Sequence, residues 1–230
     1  MPGTRRGGLK ELILAPIISS LKLPSFGETF PALVTDILSP DEFCIQLATK
    51  ENLEQLHQLS LEINNHYSAT EYPPVVPEAN SLYVAQFSQD NEWYRVYTVS
   101  LLPNQYAEVY YVDYGNKETL PWSSLRPLLP QFSKDKFYGV QCSLGGAIPN
   151  EGRQWSKKAC VVFHQNVPLF QLLSINFIDR QHTRLKVDVK SGNTTVSQLL
   201  INQGLAKVEP QQHFSNSHCG GDGRFGTQYR

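Results

Sequence analysis

Hydrophobic and polar positions alternate along 24–46, PSFGETFPALVTDILSPDEFCIQ: Ala32, Val34 and Asp36 fall between Leu33, Thr35 and Ile37. Period two marks a strand, and Ser39-Pro40-Asp41 supplies the turn of a hairpin whose return strand is Phe43–Leu47. The period then changes. Leu53, Leu56, Leu59 and Ile63 recur every three or four residues among Glu51, Glu54, Gln55, Gln58 and Glu62, predicting an amphipathic helix over Thr49–Ser68 with Thr49 as its cap. ATEYPPVVPE, with three prolines, ends it as an extended linker. Four short strands follow closely, at Ser81–Ser88, Glu92–Ser100, Tyr106–Asp113 and Lys117–Leu120, and WSSLRPLL closes the group. That spacing predicts a small, strongly bent antiparallel barrel.

The pattern resumes more sparsely. Strands are expected at Lys136–Leu144, Gln171–Phe177 and Leu185–Lys190, the last two joined by Asp179–Arg184. Helices are expected at Gln154–Val162 and Val196–Asn202, the second ended by Gly204. The first hairpin and helix are too small to bury a core alone, and the second half has strands but no obvious complete sheet. The economical solution joins both flanks into one β-barrel with helices and inserts the central barrel between them. The expected division is a lead-in over 1–21, a first barrel segment over 22–48, a linker helix over 49–73, the inserted barrel over 74–130, the second segment over 131–209 and a disordered tail over 210–230. The fold class is therefore mostly β with some α.

Composition narrows the function classes. Lys and Arg number 20 against 21 Asp and Glu, so the net charge is -1 and the basic excess of a chain that tracks phosphate backbones is missing. RNA stays a secondary ligand at most. Cys44, Cys142, Cys160 and Cys219 form no C-x-x-C pair, and no His lies at zinc spacing from them, so they read as reduced thiols. No apolar run reaches ~18 residues, so no membrane span is expected, and MPGTRRGG leads into no signal peptide.

The run FSQDNEWYRVYTVSLLPNQYAEVYYVDYGNKETLPWSSLRPLL resembles a Tudor domain, through EWYR, then VDYGN, then LRPL. TFPALVTDILSPDEFCIQL and VDVKSGNTTVSQLLINQGLAKV resemble the opening hairpin and the last strand and helix of the staphylococcal-nuclease-like, OB-type domain that surrounds it in extended Tudor domains. The resemblance covers roughly Lys22–Val208 and implies a Tudor SH3-like barrel inserted in a split nuclease-like barrel. It also implies a reader of symmetric dimethylarginine in Arg-Gly repeats of Piwi-family proteins, acting in germ-cell RNA silencing in the cytoplasm at germ granules; the alternatives are an RNA-binding OB-type module or an adaptor for unmethylated arginine peptides. One YGN-type signature means one such unit, expected as a monomer without a cofactor.

On the family pattern, the walls of an aromatic cage fall on Phe87, Tyr94, Tyr111 and Tyr114, and Asn116 takes the position whose amide bonds a guanidinium nitrogen. The chemistry is apt. A methylated guanidinium is planar, cationic and weakly hydrated, so π-faces serve it better than water does. The residues alone leave alternatives. Trp93 and Tyr94 must face opposite sides of their strand, as must Tyr110 and Tyr111. The resemblance sends Tyr94 and Tyr111 to the pocket, and Tyr110 goes to the core. Asn116 after Gly115 also suits a turn sterically. Asp113 is expected to be structural, fixing the turn or pairing with Arg126 or Arg95, and Gly115 to hold a backbone conformation closed to other residues.

An enzyme is not expected. Catalytic nucleases of this fold need carboxylates around calcium with a glutamate and two arginines. Here only Asp36, with Glu28 before it, offers a carboxylate near the first hairpin, and one catalytic arginine position falls on Thr183, beside Arg184. No G-x-S-x-G, P-loop or H-E-x-x-H is present, and the six histidines show no ligand spacing.

Overall fold

The computed structural model describes residues 24–210 except Pro74, Asp135, His182 and Thr183. The lead-in expected over 1–21 lies outside the described residues, as does the tail expected over 210–230 apart from Pro210.

Strands β1 (Thr29–Ser39) and β2 (Glu42–Leu47) form the first hairpin. Helix α1 (Lys50–Ala69) follows, capped by the Thr49 hydroxyl accepting from Asn52 N. Its buried face is Asn52, Leu56, Leu59, Ile63 and Tyr67. Leu53, expected on that face, is exposed instead. The helix turns Asn52 inward because its amide has partners there: Nδ2 donates to Leu47 O and Oδ1 accepts from Lys136 Nζ at 2.8 Å.

Strands β3 (Leu82–Gln86), β4 (Trp93–Leu102), β5 (Tyr106–Tyr111), β6 (Lys117–Pro121) and β7 (Leu125–Pro127) make an antiparallel five-stranded barrel in the order β6-β5-β4-β3-β7. Its core is Ala85, Val96, Ala107, Val109, Tyr111, Leu120 and Leu125. β4 runs two residues past its expected end, into a 3-10 turn at Pro103–Gln105. Trp93 turns away from this core and packs with Tyr67, Leu59 and Phe132 under α1, which fastens the helix to the barrel.

A short helix α2 (Pro130–Ser133) leads back to β8 (Val140–Leu144) and β9 (Ala147–Pro149). Then come α3 (Lys157–Asn166), β10 (Leu172–Gln181), β11 (Arg184–Ser191), β12 (Thr194–Thr195), α4 (Val196–Asn202) and β13 (Ala206–Val208). β1 and β2 from one flank join β8, β10 and β11 from the other in the order β10-β1-β2-β8-β11, and β10 also pairs with β11. The ring closes, so a second barrel is assembled from two segments that flank the first in sequence. Its core includes Val34, Phe43, Ile45, Phe163, Ile175, Leu185 and Leu200.

Other boundaries also differ from expectation. Helix α3 starts later because Ser156 caps it, its hydroxyl accepting from Ala159 N, so Trp155 lies before the helix. The stretch expected to join β10 to β11 continues the ladder, pairing Asp179 with Lys186 and Gln181 with Arg184. Its polar residues hide the strand from any apolar pattern. Residues 136–139 are not strand because their backbone serves another purpose.

That purpose is the buried ion pair of Arg95 and Asp113. Arg95 Nε donates to Asp113 Oδ2 at 2.9 Å and Nη2 to Oδ1 at 2.6 Å. Nη1 and Nη2 also reach Phe132 O and Lys136 O, and Asp113 Oδ1 accepts from Tyr138 N. The Arg95 side chain has no solvent exposure. The fork thus pins β4, the turn after β5 and the chain returning to the second barrel at one point. Arg126 does not take part. Its guanidinium bonds Ser123 O and Leu125 O and lies 5.8 Å over the Trp93 ring.

Removing one partner of a buried pair leaves an uncompensated charge, typically at a cost of about 3–5 kcal/mol. Asp113→Ala should therefore lower unfolding stability by that order in urea titration. An Arg95→Met, Asp113→Leu double variant should recover much of the loss. A loss below about 1 kcal/mol in Asp113→Ala would contradict the role given to the pair.

Candidate aromatic cage

The turn after β5 carries the site. Tyr111 N donates to Asn116 O at 2.9 Å, and Gly115 N donates to Tyr111 O at 2.8 Å, folding 111–116 into a tight loop. Gly115 sits at φ +97°, where a side chain is strained. Space forbids one as well: a Cβ there would lie 2.2 Å from Cys44 Cβ of β2. The turn is pressed against the split barrel and bonded to it. Thr35 Oγ1 donates to Tyr114 O at 2.5 Å, Gln46 Nε2 to Asp113 O at 2.7 Å and Gln141 Nε2 to Tyr110 OH at 2.6 Å.

Tyr110 and Val112 therefore face the junction between the barrels, with Tyr97. Tyr111, on the other face of β5, reaches into the central core and is 1% exposed. Its ring edge meets Phe87 at a centroid distance of 5.2 Å and 71°, and Tyr94 at 6.0 Å and 79°. Tyr94 meets Phe87 at 6.3 Å and 85°, and Tyr114 at 5.2 Å and 81°. The near-perpendicular rings form walls rather than a stack. Phe87, Tyr94, Tyr111, Tyr114 and Asn116, the five residues singled out in the sequence, all line one cavity of about 450 Å³. Asn116 is half-exposed there, and its carboxamide makes no hydrogen bond among the described residues.

Two wall phenols donate outward to carboxylates. Tyr94 OH bonds Asp90 Oδ2 at 2.9 Å, and Tyr111 OH bonds Glu118 Oε2 at 2.6 Å. Ser88 Oγ bonds the other oxygen of Glu118. Burial, reinforced by these carboxylates, holds both phenols well above the usual tyrosine range. Burial pushes Tyr114 up to about 12, with Asp113 adding to it. All three rings stay neutral at neutral pH, and the anions behind them make the cavity negative. A cation with apolar surface is what such walls stabilise.

The remaining lining was not foreseen. Thr35 and Asp36 enter from β1, and Leu169 and Phe170 from the loop between α3 and β10, so the cavity spans both barrels. A β-bulge between Val34 and Asp36 explains the first pair. It breaks strict alternation, buries Val34 and Thr35 consecutively and aims Asp36 at the cavity. Asp36 is thus a wall carboxylate of the cavity. Thr183 lies outside the described residues. Arg184 bonds Asp41 O and lies 3.6 Å from Glu42, at the tip of the first hairpin. Cys44 and Cys142 are buried free thiols, and Cys160 is free and half-buried. No helix among the described residues is long and apolar enough to cross a membrane.

The Tudor domain family model matches residues 24–146, more than half of the chain, and the protein belongs to that family. Tudor domain-containing protein 7 of Xenopus tropicalis is 32% identical over 155 residues, 67% of this chain. The chain spans 14% of that relative's length. The extended Tudor domain TD3 of mouse TDRD1, solved with a MILI peptide containing dimethylarginine, superposes with a TM-score of 0.74 at 28% identity, over 82% of this chain and 97% of the other. The extended Tudor domain of Drosophila melanogaster Tudor-SN superposes at 0.71 with 26% identity, over 81% and 87%. The fold is an extended Tudor domain: a Tudor barrel joined to a nuclease-like barrel.

Asp36 gives a test of the site's electrostatics. Burial lifts its carboxyl above the ordinary value of 3.8, with Glu42 lifting it further and Lys117 opposing. The folded state then binds the proton more tightly than the unfolded chain, so stability falls as pH rises from about 3.8 through the raised value. Asp36→Asn should be more stable than wild type at pH 7, and the two should converge near pH 3.5. Unfolding midpoints across that range check this, and a variant less stable at pH 7 would contradict it.

Proposed function

We propose that this chain is a reader of symmetrically dimethylated arginine, a scaffold module that recruits Piwi-family proteins through their Arg-Gly segments. The observation that carries the reading is the cage: four rings at near-right angles and an unengaged carboxamide opening into one negative cavity. Methyl groups remove N–H donors from the guanidinium and add apolar surface. Water then serves the cation less well and the rings serve it better. The Asn116 amide is left to bond a guanidinium nitrogen. The related mouse TDRD1 domain, solved with a dimethylarginine peptide, supports the same use of the fold.

The module acts by binding and performs no chemistry. Each well-placed ring contributes ~0.5–2 kcal/mol. After the entropy of association is subtracted, one cage gives an affinity that is roughly micromolar or weaker. Such affinity suits a scaffold in which several modules or several modified arginines add by avidity. In that setting the module works in piRNA-guided transposon silencing in germ cells, in cytoplasmic germ granules.

Titration calorimetry with an Arg-Gly peptide in unmodified, asymmetrically dimethylated and symmetrically dimethylated forms tests the reading. The symmetric form should bind about 5-fold or more tighter than the unmodified one, the worth of roughly 1 kcal/mol. Tyr94→Ala and Asn116→Ala should each weaken it by about tenfold. These positions are preferable to Tyr111, whose ring also fills the barrel core. Equal affinity for the three peptides would rule the cage out as a reader.

A further inference from the structure

An arginine followed by glycine is the step that the proposed reader takes, and this chain contains it once, at Arg6-Gly7, with Arg5 before it and Gly8 after it. No other arginine in the sequence precedes a glycine. Glycine beside the arginine leaves no side chain to crowd the walls when a long guanidino arm enters a cavity. Arg5 and Arg6 lie outside the described residues, on the stretch that runs into β1.

Charge and reach both suit the cage. Asp36 and Asp90 line the cavity, and Glu118 stands behind the Tyr111 hydroxyl. Residues 1–23 hold Arg5, Arg6, Lys10 and Lys22 against one acid, Glu11. β1 starts at Thr29 and delivers Thr35 and Asp36 to the cavity, so its start lies roughly 20 Å away at about 3.3 Å per residue. Arg6 precedes Thr29 by 23 positions, a stretch that spans at most about 80 Å. The chain is therefore long enough to return Arg6 to the cage of its own molecule.

We propose that Arg6 is a methylation site and that its symmetrically dimethylated side chain fills the cage of the same chain, holding off outside peptides. This rests on the methylarginine reading above and adds its regulation. The modification needs a separate methyltransferase and a sulfonium methyl donor. Each transfer breaks an S–CH3 bond, forms an N–CH3 bond on one terminal guanidino nitrogen, releases one proton and leaves the donor a neutral thioether. One transfer to each terminal nitrogen gives the symmetric form, and the guanidinium keeps its positive charge. Before methylation Arg6 is better served by water than by the rings, so the cage stays open. After it, a tether that spans the distance raises the local ligand concentration to about millimolar. Against a cage affinity of roughly tens of micromolar, an outside peptide then binds about 10–100-fold more weakly.

Two measurements test this on the full chain. Incubation with a methyltransferase that makes symmetric dimethylarginine should place two methyl groups on Arg6, located by peptide mass spectrometry. An Arg6 left unmodified would overturn its assignment as a methylation site. Calorimetry then compares the unmodified chain with a chain assembled synthetically to carry symmetric dimethylarginine at position 6, each titrated with a symmetrically dimethylated Arg-Gly peptide. The modified chain should bind that peptide at least about tenfold more weakly and sediment as a monomer. Arg6→Lys, taken through the methyltransferase step, should keep the affinity of the unmodified chain. Equal affinity with and without dimethylarginine at position 6 would overturn the self-capture alone. A modified chain that sediments as a dimer would overturn it too, because the cage filled would be another copy's. An unmodified chain that binds no dimethylated peptide would overturn the methylarginine reading itself, which separates the two failures.

Discussion

The turn Val112–Asn116 cannot stand alone. It projects from the end of β5, holds an aspartate in a buried ion pair and carries a glycine whose Cα touches Cys44 of another barrel. Three side chains of the nuclease-like half reach here: Thr35 and Gln46 bond this segment, and Gln141 bonds Tyr110 just ahead of it. The split barrel is thus a clamp as well as a neighbour. A five-stranded Tudor barrel supplies the rings, and the flanking barrel fixes the angle at which Tyr114 and Asn116 meet them. This gives a physical reason for the insertion of one barrel inside the other: both chain crossings pass close to the turn that must be held.

Rigidity of that turn matters because weak interactions must add. Cation–π attraction falls away if a ring is misplaced, and side chains that are ordered only on binding spend part of the affinity on their own entropy. Here Tyr94 and Tyr111 are tethered through their hydroxyls to Asp90 and Glu118, so two walls are set before a ligand arrives. The same carboxylates stay outside the aromatic faces. Negative potential without direct salt bridging suits a methylated guanidinium, which lacks the full set of donors that a carboxylate fork would need.

Much of this was legible in the sequence, and what was hidden had physical causes. EWYR and VDYGN carry Tyr94, Tyr114 and Asn116 of the cavity lining, with Tyr111 directly before the second motif, because neighbouring strands and one tight turn let local spacing fix geometry. Glycine at 115 is legible as a turn residue, but its contact with Cys44 is not, since 71 positions separate the two. Asp113 announces an arginine partner without saying which. Arg95 wins because its strand pairs with β5, whereas Arg126 lies on β7, beyond β3, and sits over the Trp93 ring. Asp36 and Thr35 were obscured by a bulge, which breaks the period-two rule that strand reading depends on. Phe170 was obscured because loops carry no period at all. Asn52 replaced Leu53 on the buried face of α1 because hydrogen bonds, invisible to a hydropathy count, made a polar residue the better fit.

A cation held between four particular rings at the junction of two barrels is the proposed ligand geometry. A crystal structure of the protein with a symmetrically dimethylated Arg-Gly peptide tests it most directly. The guanidinium should lie among the rings of Phe87, Tyr94, Tyr111 and Tyr114, within hydrogen-bond distance of the Asn116 carboxamide, with the peptide continuing between the barrels. A guanidinium paired with Asp36 or another carboxylate, with the four rings left empty, would contradict it.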